Sequence, residues 1–202
     1  MIIGIDIDNT IQDCEGYLDT VGVEYFGKPR VPVLSWRCFE TDRFDVSKEE
    51  YERFWREKID DYQLNGLCYK GVSEKIKELR SQGHKVIILT ARATGWLGIE
   101  PDREIRNTEI WLDKNDIEYD DLVFAKEKGD AVKRLGIGTV IEDQPRQIRD
   151  ILSKNPRVYL WIREQYYNTA FFYNELKGKH TLIDDFSRFG VPSDGDWVRL
   201  MV

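Results

Sequence analysis

A doubly wound parallel α/β sheet, with a small helical cap inserted after its first strand, is the fold this sequence predicts. Three observations predict it. Residues 2–7, Lys85–Thr90 and Thr139–Glu142 are β-branched, nearly continuous apolar runs, each ending in a polar residue or a turn. Runs that are apolar on both faces fit strands of a parallel sheet covered by helices. Helical patterns alternate with them, and one long segment, residues 14–69, interrupts the alternation after the first run.

Taken in order, residues 2–7 predict the first strand. Within the insertion the clearest piece is 48–62, where Tyr51, Phe54, Trp55, Ile59 and Tyr62 share one helical face. Ser47 before it and Glu50 three residues later form a capping-box signature. These aromatics read as the core of the cap rather than as a platform for stacking a base. Residues 72–82 predict a helix, with Val72, Ile76 and Leu79 at i, i+4 and i+7 and Gly83 as its stop. Lys85–Thr90 is the second strand, and 104–114 a helix carrying Ile105, Thr108 and Leu112. A weaker strand over 121–125 follows, then a short helix over 130–135 that ends at Gly136. Thr139–Glu142 is the next strand, 145–152 a helix and 157–162 a weaker last strand. The predicted organisation is a catalytic core of residues 1–13 and 70–162, a cap of 14–69, and an extension of 163–202. That extension holds Tyr166, Tyr167, Phe171, Phe172, Tyr173 and Trp197 without a period, and predicts no element.

Composition narrows the function. A chain of 202 residues suits one domain plus an insert, and buries about 70 % of its unfolded surface without needing a staple. The net charge of −7 argues against a sequence-independent grip on nucleic acid. Three Cys and two His argue against a disulfide framework and a Cys/His zinc site. No apolar run approaches the ~18 residues that span a bilayer, and Asp6 interrupts the first apolar run before a secretory signal is complete. The expectation is a soluble cytoplasmic protein with no membrane partner.

The chemistry lies at the strand ends. The first strand runs into Asp6, Asp8 and Thr10, the second ends at Thr90, and the Thr139–Glu142 strand runs into Asp143. Ligand sites of open α/β sheets lie outside the carboxyl ends of the strands, so these residues converge on one crevice. Asp6 and Asp143 offer hard oxygen ligands suited to Mg²⁺. A carboxylate at Asp6 is placed to attack phosphorus, and Asp8 to serve as general acid and then base. The hydroxyl of Thr90 and a cation, Lys126 or Lys128, suit the oxygens of a transferring phosphoryl group. Singly, each residue has a plainer reading: a strand-end turn, a solvated lysine, or an N-cap at Glu142-Asp143. Their joint placement carries the chemical one. An EF-hand is excluded, because counting from Asp6 its glycine falls on Ile11 and its bidentate Glu on Tyr17. His84 and His180 read as structural, and no base stands near Cys14.

The run Ile2-Ile3-Gly4-Ile5-Asp6-Ile7-Asp8-Asn9-Thr10-Ile11 resembles the first motif of the haloacid dehalogenase-like (HAD) phosphatases. Val86-Ile87-Ile88-Leu89-Thr90 resembles the second, Lys128 the third-motif lysine, fourteen residues before Glu142, and Val140-Ile141-Glu142-Asp143 the fourth. Within that superfamily the likeness is to the 5′-nucleotidase and 5′(3′)-deoxyribonucleotidase branch, in which a Thr-Ala-Arg-like turn follows the second strand, here Thr90-Ala91-Arg92. The resemblance implies a HAD-like core with a helical cap. It implies Asp6 as nucleophile and metal ligand, and Asp8 as acid/base and main-chain-carbonyl metal ligand. It further implies Thr90, Ala91 and Lys128 as phosphate ligands and Asp143 as the remaining ligand of Mg²⁺. Arg92 and Trp36 are candidate substrate contacts. Two positions depart from the pattern: Asn9 stands where many members have Gly, and Glu142-Asp143 replaces Asp-Asp. Lys126 remains a competitor for the lysine role.

The function expected from this resemblance is a Mg²⁺-dependent phosphomonoesterase working through an aspartyl-phosphate. Its substrate would be a small phosphorylated molecule, a (deoxy)nucleoside 5′-monophosphate by the branch likeness. An end-processing phosphatase for nucleic acid is the alternative that the acidic balance disfavours. A phospho-acceptor receiver carries its acceptor Asp on the third strand and has no cap. A nucleotide-sugar transferase using a DxD needs neither Thr90 nor Lys128. The phosphoryl-binding residues do not distinguish substrates, so selectivity is expected from residues 14–69, with Trp36, Arg37 and Phe39 as its non-helical aromatic and basic stretch.

Overall fold

Among the described residues, the predicted apolar runs and one further strand form a parallel sheet of six strands in the order β3-β2-β1-β4-β5-β6. These are β1 (Ile2–Ile5), β2 (Lys85–Thr90), β3 (Asp121–Phe124), β4 (Thr139–Glu142), β5 (Tyr159–Arg163) and β6 (His180–Ile183). The computed structural model describes residues 1–31, 40–165, 167–168, 176, 180–186 and 189, so Trp36, Arg37 and Phe39 lie outside the described residues. β1 lies in the middle, with Ile5 opposite Ile88 of β2 and Ile141 of β4. The chain builds outward from β1 to β2 and β3, then crosses back to β4 on the other side. The crevice between the carboxyl ends of β1 and β4 is therefore the topological switch point, where open α/β sheets bind ligands.

Alternation along each strand sends neighbouring residues to opposite faces. Val86 and Ile88 join Ile3, Ile5, Val72, Ile76, Leu79, Trp111 and Leu112 on one side. Ile87 and Leu89 join Val132, Val140, Ile148, Ile151 and Leu160 on the other. Both faces are buried, which is why these strands carry no polar alternation. The core helices are α5 (Val72–Ser81), α6 (Pro101–Lys114), α7 (Lys128–Leu135) and α8 (Pro145–Lys154).

Several ends differ from the periodicity. β1 stops at Ile5 because the Ile7 carbonyl accepts from the N–H groups of Thr10, Ile11 and Gln12, at 3.1, 2.9 and 2.9 Å, which curls the chain out of the sheet. α6 begins at Pro101, whose fixed φ suits a first helical position. α7 begins two residues earlier than the apolar pattern, at Lys128 itself. The larger difference is the extension after 162. It supplies β6, paired in parallel with β5, and beyond it Phe186 and Phe189, both buried in the core beside Ile183.

The insertion after β1 is helical. α1 (Cys14–Tyr17) runs through a wider turn at Leu18–Gly22 into α2 (Val23–Phe26), which ends at Gly27 with φ +62°. α3 (Glu40–Phe44) leads to α4 (Lys48–Asn65), which opens with the Ser47–Glu50 capping box. Phe54, Trp55, Ile59 and Tyr62 of α4 pack with Tyr17, Leu18, Phe44 and Ile99, so these aromatics are the insert's own core. Polar contacts tie α4 to α6. Arg103 pairs with Asp60, Asn107 Nδ2 donates to Asp60 at 2.8 Å, Gln63 donates to Glu104 at 2.9 Å, and Trp111 Nε1 donates to the Gly66 carbonyl at 2.7 Å. Among the described residues, no helix is long and apolar enough to cross a membrane.

Because Phe189 is 1 % exposed, Phe189→Ala should lower the unfolding free energy by about 3–5 kcal/mol in urea titration. A tail resting on the surface would leave it within about 0.5 kcal/mol.

Candidate active site

Asp6 is the first residue past β1, and its N–H still bonds the Ile141 carbonyl of β4 at 3.1 Å, which anchors it at the switch point. The turn that follows needs Asn9 at φ +57°. That is a left-handed position, where Gly is free and Asn is the side chain that tolerates it best. The Asn at a position where glycine is common thus has a local reason.

Lys128, at the first turn of α7, reaches back into the crevice. Its Nζ lies 2.5 Å from Asp6 Oδ1 and 2.6 Å from Glu142 Oε2, with its side chain 2 % exposed. The other Glu142 oxygen accepts the N–H groups of Asp143 and Gln144 at 3.2 and 3.0 Å. Thr10 Oγ1 stands 3.2 Å from Asp6 Oδ2 and 3.3 Å from Asp143 Oδ1, so those two oxygens face a common point. Lys126 is exposed at the surface and contributes only its main-chain carbonyl, bonded to Gln147. The ammonium in the crevice is that of Lys128.

Oxygens of Asp6, Glu142 and Asp143 all lie within 4.8 Å of one another, and all three residues are buried. Among the described residues, one ammonium, that of Lys128, faces three acids. Burial, then repulsion from Glu142, push the Asp6 carboxyl up to about 7 despite Lys128. Burial and the same two acids hold Asp143 well above the usual carboxylate range. Burial opposes the charge on Lys128, but Asp6 and Glu142 outweigh it and raise its affinity for the proton. Glu142 is already engaged by Lys128 and two N–H groups, which leaves Asp6 and Asp143 with open lone pairs. Hard carboxylate oxygens in excess of the local positive charge fit a divalent cation of the Mg²⁺ type.

Asp8 lives in a different setting. Its side chain is 39 % exposed, and it accepts from Arg92 Nε at 3.1 Å, Arg92 Nη2 at 2.5 Å and Tyr62 Oη at 2.8 Å. Burial works to raise this carboxyl, but the Arg92 guanidinium and these hydrogen bonds hold it below its ordinary value. Arg92 also donates to Gln12 Oε1 at 2.5 Å and lies over the Tyr62 ring, while Gln12 donates to the Tyr62 carbonyl at 2.6 Å. Thr90 ends β2, fully buried, and its hydroxyl accepts the Arg92 N–H at 3.2 Å. Ala91 follows in the loop, its carbonyl accepting from Thr94.

The structure thus brings Asp6, Asp8, Lys128 and Asp143 together around the switch point, with Thr90 at the end of the adjoining strand. Arg92, expected to face substrate, is instead 6 % exposed and committed to Asp8. Sequence reasoning missed Tyr62 as a partner of Asp8, having counted it as core only. It also missed Tyr167, whose hydroxyl donates to Asp143 Oδ2 and accepts from Asn9 Nδ2. No local pattern marks a contact between residues 158 positions apart.

No protein-family model matches the chain. A Chlorobaculum tepidum protein provisionally named a 5′(3′)-deoxyribonucleotidase is 26 % identical over 156 residues, 75 % of this chain and 73 % of that one. Among solved structures, a HAD hydrolase of family IA from Entamoeba histolytica covers 99 % of this chain and 98 % of its own at TM-score 0.57 and 17 % identity. The D,D-heptose 1,7-bisphosphate phosphatase of B. bronchiseptica, solved with magnesium and phosphate, covers 91 % of this chain and 92 % of its own at TM-score 0.54 and 10 % identity. At these identities the structural likeness is one of fold. The fold is that of the haloacid dehalogenase-like superfamily. In sequence, the chain is similar to that provisionally named 5′(3′)-deoxyribonucleotidase.

Removing one partner of a buried ion pair strands the others. In EDTA at mildly alkaline pH, Lys128→Ala should therefore cost about 3–5 kcal/mol of stability in denaturant titration. Lys126→Ala should change it by less than about 0.5 kcal/mol. Equal effects would show that the crevice does not depend on Lys128.

Proposed function

We propose that this chain is a Mg²⁺-dependent phosphomonoesterase acting on a small phosphorylated substrate, a (deoxy)nucleoside 5′-monophosphate, through an aspartyl-phosphate on Asp6. One observation carries the reading. Asp6, Asp143 and Lys128 meet at the carboxyl ends of β1 and β4, and the adjoining β2 ends in a buried Thr90.

In this reading a carboxylate oxygen of Asp6 attacks phosphorus while the bond to the leaving oxygen breaks, and Asp8 gives that oxygen its proton. Asp8 then takes a proton from the water that attacks the acyl phosphate, which releases inorganic phosphate and restores Asp6. Asp8 rests ionised beside Arg92, which suits the second half-reaction. A phosphate dianion entering the crevice adds negative charge beside it and favours the protonated form that the first half requires. Thr90, Ala91 and Lys128 hold the phosphoryl oxygens. Asp6, Asp143 and the main-chain carbonyl of Asp8 would hold Mg²⁺, whose charge stabilises the phosphoryl oxygens when it is bound. Arg92 fixes Asp8 rather than gripping the substrate. Residues 1–13 and 70–162 do the chemistry in this scheme. The helical insert of 14–69 selects the substrate.

The deoxyribonucleotidase relative supports the nucleotide, and the crowded carboxylates support the metal. With p-nitrophenyl phosphate and Mg²⁺ the protein should turn over repeatedly, and Asp6→Asn should fall to background while keeping its melting temperature in EDTA. Wild-type hydrolysis by that variant would remove the covalent mechanism. EDTA should abolish turnover and Ca²⁺ should restore it poorly, because a larger ion drawing in extra oxygens misplaces Asp6. Full activity in metal-free buffer would contradict the metal requirement. Phosphate release from a panel of nucleoside monophosphates and sugar phosphates tests the substrate class, and preference for a sugar phosphate would replace the nucleotide.

A further inference from the structure

The segment after β5 does more than add an edge strand. Just after β5, residues Gln165, Tyr167 and Asn168 touch both sides of the switch point. Tyr167 Oη donates to Asp143 Oδ2 and accepts from Asn9 Nδ2, the latter at 3.0 Å. Asn168 Nδ2 donates to the Asp143 carbonyl and to the Arg163 carbonyl, each at 2.8 Å, and Asn168 is fully buried. Gln165 Nε2 donates to the Asn9 carbonyl at 2.9 Å, and its N–H bonds Asn168 Oδ1 at 2.9 Å. Arg163 lies over the Tyr69 ring at 4.4 Å, fastening the start of the segment to the end of the insert. The result is a strap that holds the Asp8–Asn9 turn against the loop after β4.

We propose that Tyr167 is a positioning residue for the metal site, orienting Asp143 so that the oxygen facing Asp6 is presented to Mg²⁺. The proposal rests on the Mg²⁺ reading above. Its geometric basis is which oxygen the tyrosine takes. Thr10 Oγ1 bonds Asp143 Oδ1 and Asp6 Oδ2 together, so Oδ1 is the Asp143 oxygen turned toward Asp6, and it is the one proposed to bind Mg²⁺. Tyr167 takes Oδ2, the other oxygen, and so fixes the carboxylate without occupying its ligating side. Asn168 fixes the main chain of the same residue, so both ends of Asp143 are held by the strap. A carboxylate free to rotate about its side-chain bonds must be ordered when the ion binds, and partners that pre-orient it remove that cost. Loss of such a partner typically weakens metal affinity by about 10–100-fold.

The test is Tyr167→Phe, which keeps the ring and removes the hydroxyl. Isothermal titration with MgCl₂ alone should show Mg²⁺ binding weakened about ten-fold. In the p-nitrophenyl phosphate assay the Mg²⁺ concentration for half-maximal rate should rise, with kcat recovered at saturating Mg²⁺. The melting temperature in EDTA should stay close to that of the parent, which separates positioning from a general loss of fold. Should the variant not fold, Asn168→Ala releases Asp143 from the other side and should weaken Mg²⁺ in the same direction. Unchanged Mg²⁺ affinity in the folded variant overturns the proposal, and tightened affinity overturns it by showing that the hydroxyl competes with the ion. A parent that binds Mg²⁺ but hydrolyses no phosphate ester sinks the phosphatase reading while the Tyr167 comparison still decides this one.

Discussion

Lys128 is the residue on which the crevice depends. Three buried acids within 4.8 Å of one another cannot all ionise in a low-dielectric site without a counter-charge. The one ammonium between Asp6 and Glu142 allows the arrangement to exist. A buried ion pair is a poor way to gain stability, since desolvation takes back most of the attraction. Its presence here makes sense as an arrangement kept for what it leaves over. Lys128 neutralises part of the cluster, bonding both Asp6 and Glu142, and leaves the three acids with negative charge in excess of the one ammonium. That remainder is what a divalent cation would complete.

Two carboxylates two residues apart are driven to opposite behaviour by their surroundings, a recurring way of assigning different tasks to identical groups. Asp6 is buried among acids and is raised. Asp8 lies against Arg92 and Tyr62 and is lowered. Tyr62 belongs to α4 of the insert, and Gln12, which holds the Tyr62 carbonyl, also receives Arg92. The insert therefore contributes directly to the environment of Asp8. Cap and chemistry share a hydrogen-bond network rather than a mere boundary.

The interior of the fold was legible because parallel strands buried on both faces have to be apolar throughout, and three of them are. The strand-end acids were legible because the topology collects them at one edge. What stayed hidden had physical reasons. β6 is an edge strand of four residues that begins His-Thr and alternates no better than a loop. The spacing to Glu142 favours Lys128 with Lys126 as a competitor, and the start of α7 at Lys128 turns that side chain inward. Arg92 reads as a substrate contact because a cation at a strand end usually faces solvent, and its burial depends on Asp8 and Gln12 of the turn after β1 and on Thr108 of α6. Tyr167 reaches Asn9 across most of the chain's length, where no periodicity operates.

How the insert is attached bears on what it does. Its two ends are stitched together at the core: Asp13 N–H bonds the Leu67 carbonyl at 2.8 Å, and Tyr69 N–H bonds the Ile11 carbonyl at 2.9 Å. A segment closed at its base in this way can change in size and content without disturbing β1 or α5, because the core sees only the paired ends. Its body is nevertheless held down on α6 through Asp60, Gln63 and Gly66, and on Asp8 through Tyr62. Beyond those anchors, half-exposed Trp96 of the loop after β2 approaches Trp55 of α4, ring centroids 6.1 Å apart, at the seam between insert and core. On the proposed reading, the residues that would hold a phosphoryl group, Thr90, Ala91 and Lys128, belong to the core and would be the same for any ester. On that reading discrimination between esters falls to the seam, and the Tyr62–Asp8 contact would couple a substrate bound there to the proton transfer proposed for Asp8.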